Sequence, residues 1–311
     1  MASLLYENDF QRGAVGSQDI GTLGDNSDIG YDPTTSSPPD QLIALDPADA
    51  GKQVYCVTMD QSPSGYNLEN NGTDLKHRAM IVPGAHLTND MEGEPHSTNT
   101  SKLRFLPDKE YWWGYRVRFD VSADYNRNNW NQFWWGLMSS NVGAPAFYFK
   151  KDGAAGTIKN RIMFQRYKDE NGTNQETKDY VNLNEDEWYD IVIRVLRKPY
   201  SLGTYIDGVV GGTPSGIGQL WVNGVLTVDR QGIYTGTDRE HQGVPNDFSR
   251  IGIYNGIEDD ATSEGEIKIY FDDLKIAEGA DAYDMVDPSN VSAPAATLPD
   301  NSMFITWCMG Q

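Results

Sequence analysis

Cysteine and long apolar segments are scarce in this sequence. Cys56 and Cys308 are the only cysteines among 311 residues, which is too few for a fold that depends on disulfide bonds. No apolar run approaches the roughly 20 residues that span a bilayer as a helix, and the N-terminus lacks a basic segment followed by an apolar one. We therefore predict a chain without a secretion signal that is made in the cytoplasm and does not insert into a membrane.

Positive charge is scarce as well. The chain has 25 Lys and Arg residues against 45 Asp and Glu residues, a formal net charge of -20. Because phosphate binding requires clustered basic side chains, this balance argues against a nucleic-acid partner and against adsorption to anionic lipid. By the same reasoning it counts against a polyanionic ligand and favours an uncharged or cation-bridged one.

Helical periodicity is absent, and apolar residues instead alternate with polar ones. Within residues 111–121 every second residue is apolar and charged residues stand between several of them, which is typical of a strand with one buried face. Candidate strands of this kind also occupy residues 4–10, 131–140, 146–151, 161–168, 188–197, 218–230, 248–256 and 266–278. The sequence therefore predicts an all-β sandwich of antiparallel strands.

Two local signals refine this prediction. Asn223-Gly224 lies between apolar residues, and this dipeptide favours a two-residue hairpin turn. In the last candidate strand the apolar residues stand at odd-numbered positions before Asp272-Asp273 and at even-numbered positions after it. This change predicts a β-bulge at that point.

The chain is predicted to form one domain over residues 1–284, followed by a tail. A loop rich in Gly, Asp, Ser and Pro follows the first strand and extends to about residue 47, and residues 13–39 within it form a candidate contact arm. Residues 285–311 contain a linker-like stretch and then an apolar end. Because an exposed apolar end promotes association, the tail is a candidate contact with neighbouring subunits, including copies of this chain.

Five segments resemble, in their order along the chain, the jelly-roll polysaccharide lyases, the group that includes alginate, glucuronan and heparin lyase-like enzymes. They are Tyr111-Trp112-Trp113-Gly114-Tyr115, Trp188-Tyr189-Asp190-Ile191-Val192, Trp221-Val222-Asn223-Gly224, Ser249-Arg250-Ile251-Gly252-Ile253-Tyr254 and Tyr270-Phe271-Asp272-Asp273-Leu274. The resemblance implies a concanavalin A-like β-jelly-roll sandwich and a polysaccharide or surface glycan as partner.

The resemblance also implies positions for catalytic residues. These lyases cleave uronate polymers by β-elimination, with groups on a concave sheet in Q-x-H, R-x-E and G-x-Y segments. The matching positions here are Gln132, Arg78 and Tyr254. Trp134 stands where the family has its histidine, and Met80 stands where it has an acid. A lyase would then need Tyr254 as both base and acid, or one of the histidines His77, His86, His96 and His241.

Two further kinds of site follow from residue chemistry. Aromatic rings beside amides on one face are typical of sugar binding, and the candidates are Trp130, Gln132, Trp134, Gln165, Tyr167 and Tyr254. Carboxylates are ligands that calcium prefers, and a structural calcium ion could join the first strand to the last through Glu7 or Asp9 with Asp272. No other cofactor is predicted.

Three functions remain open at this point. The first is a non-catalytic jelly-roll module that acts in assembly or glycan binding, as a surface-exposed structural, decoration or receptor-binding protein of a phage virion. It is favoured by Trp134 at the histidine position, by the arm and by the tail. The alternative is a lyase that cleaves a uronate-containing polymer, such as a phage depolymerase or an alginate lyase-like enzyme. The third is a stand-alone lectin.

Overall fold

The computed structural model describes fifteen separate parts of the chain. They are residues 1–11, 15, 41–60, 75–81, 108–121, 131–138, 146–151, 157–164, 166–168, 174–198, 200–201, 214–235, 237–238, 248–257 and 266–290. Strands dominate them, and α1 (Tyr283–Val286) is a single short helix. Within these residues no helix has the length and apolar character needed to cross a membrane. The predicted fold class, an all-β jelly-roll sandwich of antiparallel strands, is confirmed.

The first of two large sheets has eight strands. They are β1 (Ser3–Asn8), β2 (Gln41–Asp46), β3 (Asp49–Asp60), β5 (Glu110–Val121), β12 (Tyr189–Leu196), β14 (Gly216–Val222), β15 (Val225–Ile233) and β18 (Glu266–Glu278). Their order across the sheet is β15-β14-β12-β5-β18-β3-β2, and β1 pairs with the C-terminal half of β18. All pairings in this sheet are antiparallel.

The second large sheet has six strands, all of them paired antiparallel. They are β4 (Leu75–Ile81), β6 (Asn131–Met138), β7 (Ala146–Lys151), β8 (Thr157–Met163), β11 (Asp179–Asn184) and β17 (Phe248–Ile257). Their order is β11-β8-β7-β6-β17-β4, so β11 and β4 are the edges. Two short ribbons complete the set: β9 (Arg166–Lys168) with β10 (Asn174–Glu176), and β13 (Tyr200–Ser201) with β16 (Thr237–Asp238).

The core lies between the two sheets and follows from alternation. In β5 the alternate residues from Tyr111 to Phe119 are fully buried, among them Trp113 and Tyr115, and Val121 at the end of the strand is partly buried. They belong to one hydrophobic cluster with Ile158 and Ile162 of β8. Burying an aromatic or branched side chain of this size contributes about 1.5–3 kcal/mol, so these facing stripes supply much of the stability.

Both local signals in the sequence are confirmed. Asn223 and Gly224 connect β14 to β15 with φ angles of 49° and 76°, which is the left-handed pair that a type I′ hairpin turn requires. In β18 the register shifts between Asp272 and Lys275, and Asp273 has φ 50°. The bulge returns Leu274 and Ile276 to the core side.

Some strands were not predicted, and some boundaries need correction. The hairpin β2–β3 and the edge strands β4 and β11 were not predicted from the sequence. β2 begins at Gln41, so the loop predicted to run to about residue 47 ends earlier. Of the predicted contact arm 13–39 the structure describes only Val15, and residues 291–311 of the tail also lie outside the described residues.

The helix α1 extends across residue 284, the predicted end of the domain. Val286 of α1 is fully buried and packs with Trp112, Val192 and Ala277 on the outer side of the eight-stranded sheet. The domain therefore includes α1. The close approach of α1 to β5 depends on Gly114 of β5, where an added Cβ would lie 1.7 Å from the Val286 carbonyl oxygen.

Replacing Gly114 with alanine should destabilise the fold. The added methyl group cannot be accommodated without moving the α1 backbone, and overpacking of this kind costs about 1–3 kcal/mol. Urea unfolding would show a lower midpoint for Gly114→Ala. Gly51→Ala is the matched control, because the nearest atom to its added Cβ is a side-chain oxygen of Asp49 at 3.3 Å. Equal midpoints for the two variants would contradict the proposed contact.

Candidate functional site

A row of paired residues crosses all six strands of the second sheet. We call it the cross-strand row, and it runs through Arg78 in β4, Tyr254 in β17, Gln132 in β6, Tyr148 in β7, Arg161 in β8 and Tyr180 in β11. Neighbouring strands lie about 4.8 Å apart. The three residues assigned to catalytic positions from the sequence are therefore adjacent in space, with Tyr254 between the other two.

The cross-strand row lies on the outer face of the six-stranded sheet, away from the core. Directly paired residues of antiparallel strands occupy the same face. In β8 the residues directly before and after Arg161, Asn160 and Ile162, are buried, while Arg161 itself is only half-buried. At the end of the row Tyr180 is 52% exposed. At its β11 end the row is therefore at the surface.

Trp134 and Met80 also occupy outer-face positions. Each pairs with Gly252 of β17, one from each side, and each is two residues from a member of the cross-strand row. By register Gln132 and Trp134 occupy one face of β6, and Tyr254 occupies the same face of the sheet in β17. Gly252 carries no side chain, and glycine within a strand often marks close approach of a ligand.

Other predicted site residues are not brought to this row. Tyr167 lies in the β9–β10 ribbon, which belongs to neither large sheet. His77 pairs with Asn255 and occupies the opposite face from Arg78, so it cannot replace the missing histidine without leaving the strand. Trp130, Gln165 and the three remaining histidines, His86, His96 and His241, lie outside the described residues.

The outer face is basic although the chain is acidic. Six of its strand positions hold Lys or Arg, namely Lys76, Arg78, Lys150, Lys159, Arg161 and Arg250. No Asp or Glu occupies an outer position in the six strands as the structure describes them. A ligand responds to the local field as well as to the total charge, so the net charge of -20 does not describe this face.

Residues that sequence reasoning missed complete the cross-strand row. Tyr148, Arg161 and Tyr180 were not proposed as site residues, nor were Lys150 and Lys159. A signal was present: β7 and β8 alternate apolar residues with Tyr, Lys and Arg. Pairing of these strands with β6 was needed to align that polar stripe with Gln132.

The β11 edge of this sheet is held to the other sheet by an ion pair. Arg230 of β15 donates from Nε and Nη2 to the two carboxylate oxygens of Asp179, at 2.9 and 2.5 Å. The bidentate geometry gives directional as well as electrostatic stabilisation. Val181 and Leu183 of the same strand are buried in the core. β11 is thus a fixed edge, and its outer positions are held in place.

Glu7, Asp9 and Asp272 do not assemble into the predicted calcium site. Among the described residues no group of three or more His, Cys, Asp or Glu side chains could hold a metal ion. Asp9 accepts the Gln11 amide hydrogen. Asp272, fully buried, forms an ion pair with Lys52, and Arg116 Nη1 lies 3.7 Å from its Oδ2. Cationic side chains therefore contact the Asp272 carboxylate, and the structural calcium ion stays a prediction.

Burial perturbs the acidity of Asp272. Desolvation, together with the charge of Asp273, raises the pKa of Asp272 to about 6, although Lys52 and Arg116 oppose the rise. An unfolded aspartate titrates near pH 4. Between about pH 4 and pH 6 the folded state therefore binds more protons at this position, and its contribution to stability falls as pH rises.

Asp272→Asn should remove this pH dependence. The free energy of unfolding of the native chain is expected to lose on the order of 2–3 kcal/mol from Asp272 as pH rises from about 4 to 6, and the variant should lack that loss. Chemical unfolding across this pH range measures it, with the exposed Asp281→Asn as control. A calcium-induced rise in stability that Asp272→Asn abolished would overturn the ion-pair interpretation.

Two packed antiparallel sheets with a polar, basic outer face define a β-jelly-roll sandwich of the concanavalin A-like class. Within that class the chain can be placed more closely. The family model described as polysaccharide lyase matches residues 52–275, a span that includes the cross-strand row. The chain belongs to this family.

Solved structures to which the chain is similar include several lyases. An endo-β-1,4-glucuronan lyase from the fungus Trichoderma reesei has 11% identity and a TM-score of 0.52, over 92% of this chain and 99% of that one. An alginate lyase from Aplysia kurodai has 10% identity and a TM-score of 0.42, over 75% of this chain and 86% of that one. An alginate lyase from Pseudomonas aeruginosa has 12% identity and a TM-score of 0.41, over 78% of this chain and 87% of that one. No curated protein matches the chain.

Proposed function

We propose that this protein is a polysaccharide lyase that cleaves a uronate-containing polymer by β-elimination on the outer face of the six-stranded sheet. The observation that carries the proposal is the adjacency of Arg78, Tyr254 and Gln132 in the cross-strand row. These residues come from three strands that are distant in sequence. Family membership and the basic outer face support it as well.

The three residues provide the groups that β-elimination requires. The C5 proton of a uronate becomes acidic when the neighbouring carboxylate charge is neutralised, and Arg78 and Gln132 offer a cation and a hydrogen-bond donor for that purpose. Tyr254, which enters this step as a phenolate, then takes the C5 proton as the C5–H bond breaks. A C4–C5 double bond forms, the C4–O bond breaks, and the leaving oxygen takes a proton from Tyr254.

Tyr254 carries both proton transfers in this proposal. Trp134 occupies the position at which the family has a histidine, and an indole cannot serve as a general base. His77 is on the opposite face of its strand. A single tyrosine that first accepts and then donates a proton needs no second group, provided that both sugar atoms lie within hydrogen-bond reach of its oxygen.

The substrate charge agrees with this surface. The names of the similar structures identify glucuronan and alginate as substrates of those enzymes, and both are polyanions. An outer face with six basic positions and no acidic strand position attracts such a polymer, although the chain as a whole repels it. We therefore propose a polyuronate as the substrate class.

Binding without cleavage is the second candidate, favoured by Trp134. A flat indole beside Gly252 on the same face as Gln132 offers a stacking surface for a sugar ring. The virion role predicted from the sequence stays a prediction, because most of the arm and most of the tail lie outside the described residues.

Tyr254→Phe distinguishes the two candidates. Cleavage produces an unsaturated uronate, which is detected by its ultraviolet absorbance during incubation with glucuronan, alginate and related polymers. The variant should lose at least about 100-fold in kcat, because general acid–base catalysis typically contributes this much or more. Tyr283→Phe, on the outer side of the other sheet, is the matched control and should retain full activity.

Two results would contradict the lyase proposal. One is a native chain that binds these polymers and releases no unsaturated product, which would support glycan binding instead. The other is full activity in Tyr254→Phe with an unchanged unfolding midpoint, which would place the chemistry elsewhere.

A further inference from the structure

The outer side of the eight-stranded sheet carries exposed apolar side chains next to α1. Leu226 of β15 is the direct cross-strand partner of Trp221 in β14 and is 43% exposed. The centre of the Trp221 ring lies 5.3 Å from the centre of the Tyr283 ring in α1, and Met285 of the same helix is also 43% exposed. We call Trp221, Leu226, Tyr283 and Met285 the apolar patch. It belongs to a different sheet from the cross-strand row.

The apolar patch is continuous with buried side chains beneath it. The Trp221 ring stacks on Trp112 with the ring centres 5.7 Å apart, and Tyr283 contacts Trp112 edge-on at 6.3 Å. Trp221 and Tyr283 are partly buried against the cluster that also contains Val192 and Val286. The patch is therefore the open side of a packed aromatic cluster, and an apolar segment that lies on it would extend that cluster.

Carboxylates surround the apolar patch. Asp284 directly follows Tyr283 in α1 and is exposed. Burial of Tyr283 raises its pKa, and the negative charges of Asp287, Asp284 and Asp190 raise it further, so all three carboxylates act on this ring. A second copy of the chain, with its net charge of -20, would meet like charge at this surface. An uncharged apolar segment would not.

The chain leaves the described part of the structure beside α1. Asn290, the last described residue, donates from Nδ2 to the Asp284 carbonyl oxygen at 3.2 Å. Its own carbonyl oxygen accepts a hydrogen bond from Lys275 Nζ at 3.4 Å. Asn290 is therefore held on the outer side of the eight-stranded sheet, and the residues that follow it start next to the apolar patch.

Those residues include a segment with the composition that the patch requires. We call residues 303–309 the apolar segment: Met303-Phe304-Ile305-Thr306-Trp307-Cys308-Met309. It has no charged side chain, and Asp300 is the only charged side chain in residues 291–311. Burial of such large apolar side chains against an apolar surface is favourable, and the carboxylates around the patch do not oppose it.

The apolar segment can reach the apolar patch within one chain. Met303 is 13 residues beyond Asn290, a length that spans up to about 45 Å when extended. Leu226 lies three strand spacings, about 14 Å, from Gly114, against which α1 packs. Attachment through Asn290 raises the local concentration of the segment at the patch, so modest contacts are sufficient to hold it there.

We propose that the apolar segment, residues 303–309, docks on the apolar patch of its own chain. The docked segment shields Trp221, Leu226 and Met285 from water and extends the cover that α1 provides over the eight-stranded sheet. The sequence suggested a neighbouring subunit as the contact of the tail, and the proposal replaces that subunit with a site on the same chain. It does not depend on the proposed lyase function, because the cross-strand row lies on the other sheet.

Disulfide trapping tests the position of the segment. Cys308 lies within it, and the other cysteine, Cys56, is buried. In Leu226→Cys, oxidised glutathione should join position 226 to Cys308 within one chain, which peptide mass spectrometry detects. Adding Trp307→Ser leaves the connecting length unchanged and should slow this reaction at least about fivefold, because the segment loses its largest apolar side chain.

Leu45→Cys is the matched control at the opposite edge of the same sheet. Leu45 of β2 is 48% exposed, close to the value for Leu226. Its reaction with Cys308 should be slower than that of Leu226→Cys and should not change on adding Trp307→Ser. Equal rates at the two positions would overturn the proposal, as would a rate in Leu226→Cys that Trp307→Ser leaves unchanged.

A mixing experiment separates docking on the same chain from docking on a second copy. The double variant Leu226→Cys/Cys308→Ser has a reactive thiol on the patch and none in the segment, and the native chain has the reverse. A disulfide between the two chains, formed as fast as the one within Leu226→Cys, would show that the segment docks on a neighbouring copy and would overturn the proposal. Little or no mixed disulfide supports it.

Stability provides a second measurement without cysteine chemistry. Trp307→Ser should lower the urea midpoint of the native chain by about 0.3 M or more, because the docked ring returns to water. The same substitution should have a smaller effect in a Leu226→Ser chain and its full effect in a Leu45→Ser chain. Equal shifts in all three chains would refute docking on the patch and would leave the proposed lyase function intact.

Discussion

The pairing register of the six-stranded sheet is the constraint on which the rest of this structure depends. In each strand successive residues face opposite sides, so the register decides at once which residues enter the core and which form the outer face. Here Ile158 and Ile162 enter the core, and Arg161 between them faces outward. A shift by one residue would bury that arginine and expose both isoleucines. Burial of the apolar stripe therefore holds the polar stripe in alignment across six strands.

The two sheets use their outer faces differently. Over part of the eight-stranded sheet α1 covers the strands, with Val286 against Gly114, and the ion pairs of Asp272 with Lys52 and Arg116 occupy another part. Those interactions are internal to the fold and serve stability. On the outer face of the six-stranded sheet the strand register instead aligns positions that hold aromatic, amide and basic residues. This division explains why function is assigned to one face of a sandwich that has two.

Sequence reasoning reached the fold and part of the site. Alternation in β5 and the Asn223-Gly224 turn predicted strands and a hairpin correctly, because both signals are local. The proposed catalytic positions Gln132 and Tyr254 came from ordered segments that resemble the family. Tyr148, Arg161 and Tyr180 were missed because each is an ordinary strand residue until strand pairing aligns it with the others. The basic face was missed because summing charge over the whole chain removes its distribution in space.

What the sequence by itself determined is local: which segments form strands, which face of each strand is apolar, and where the chain turns or bulges. Those properties depend on residues within a few positions of one another. The order of strands and their register were decided only by the tertiary structure, because packing of the two apolar faces selects among many pairings. The adjacency of Arg78, Tyr254 and Gln132 is of this second kind. It joins residues far apart in the chain through contacts that no single segment specifies.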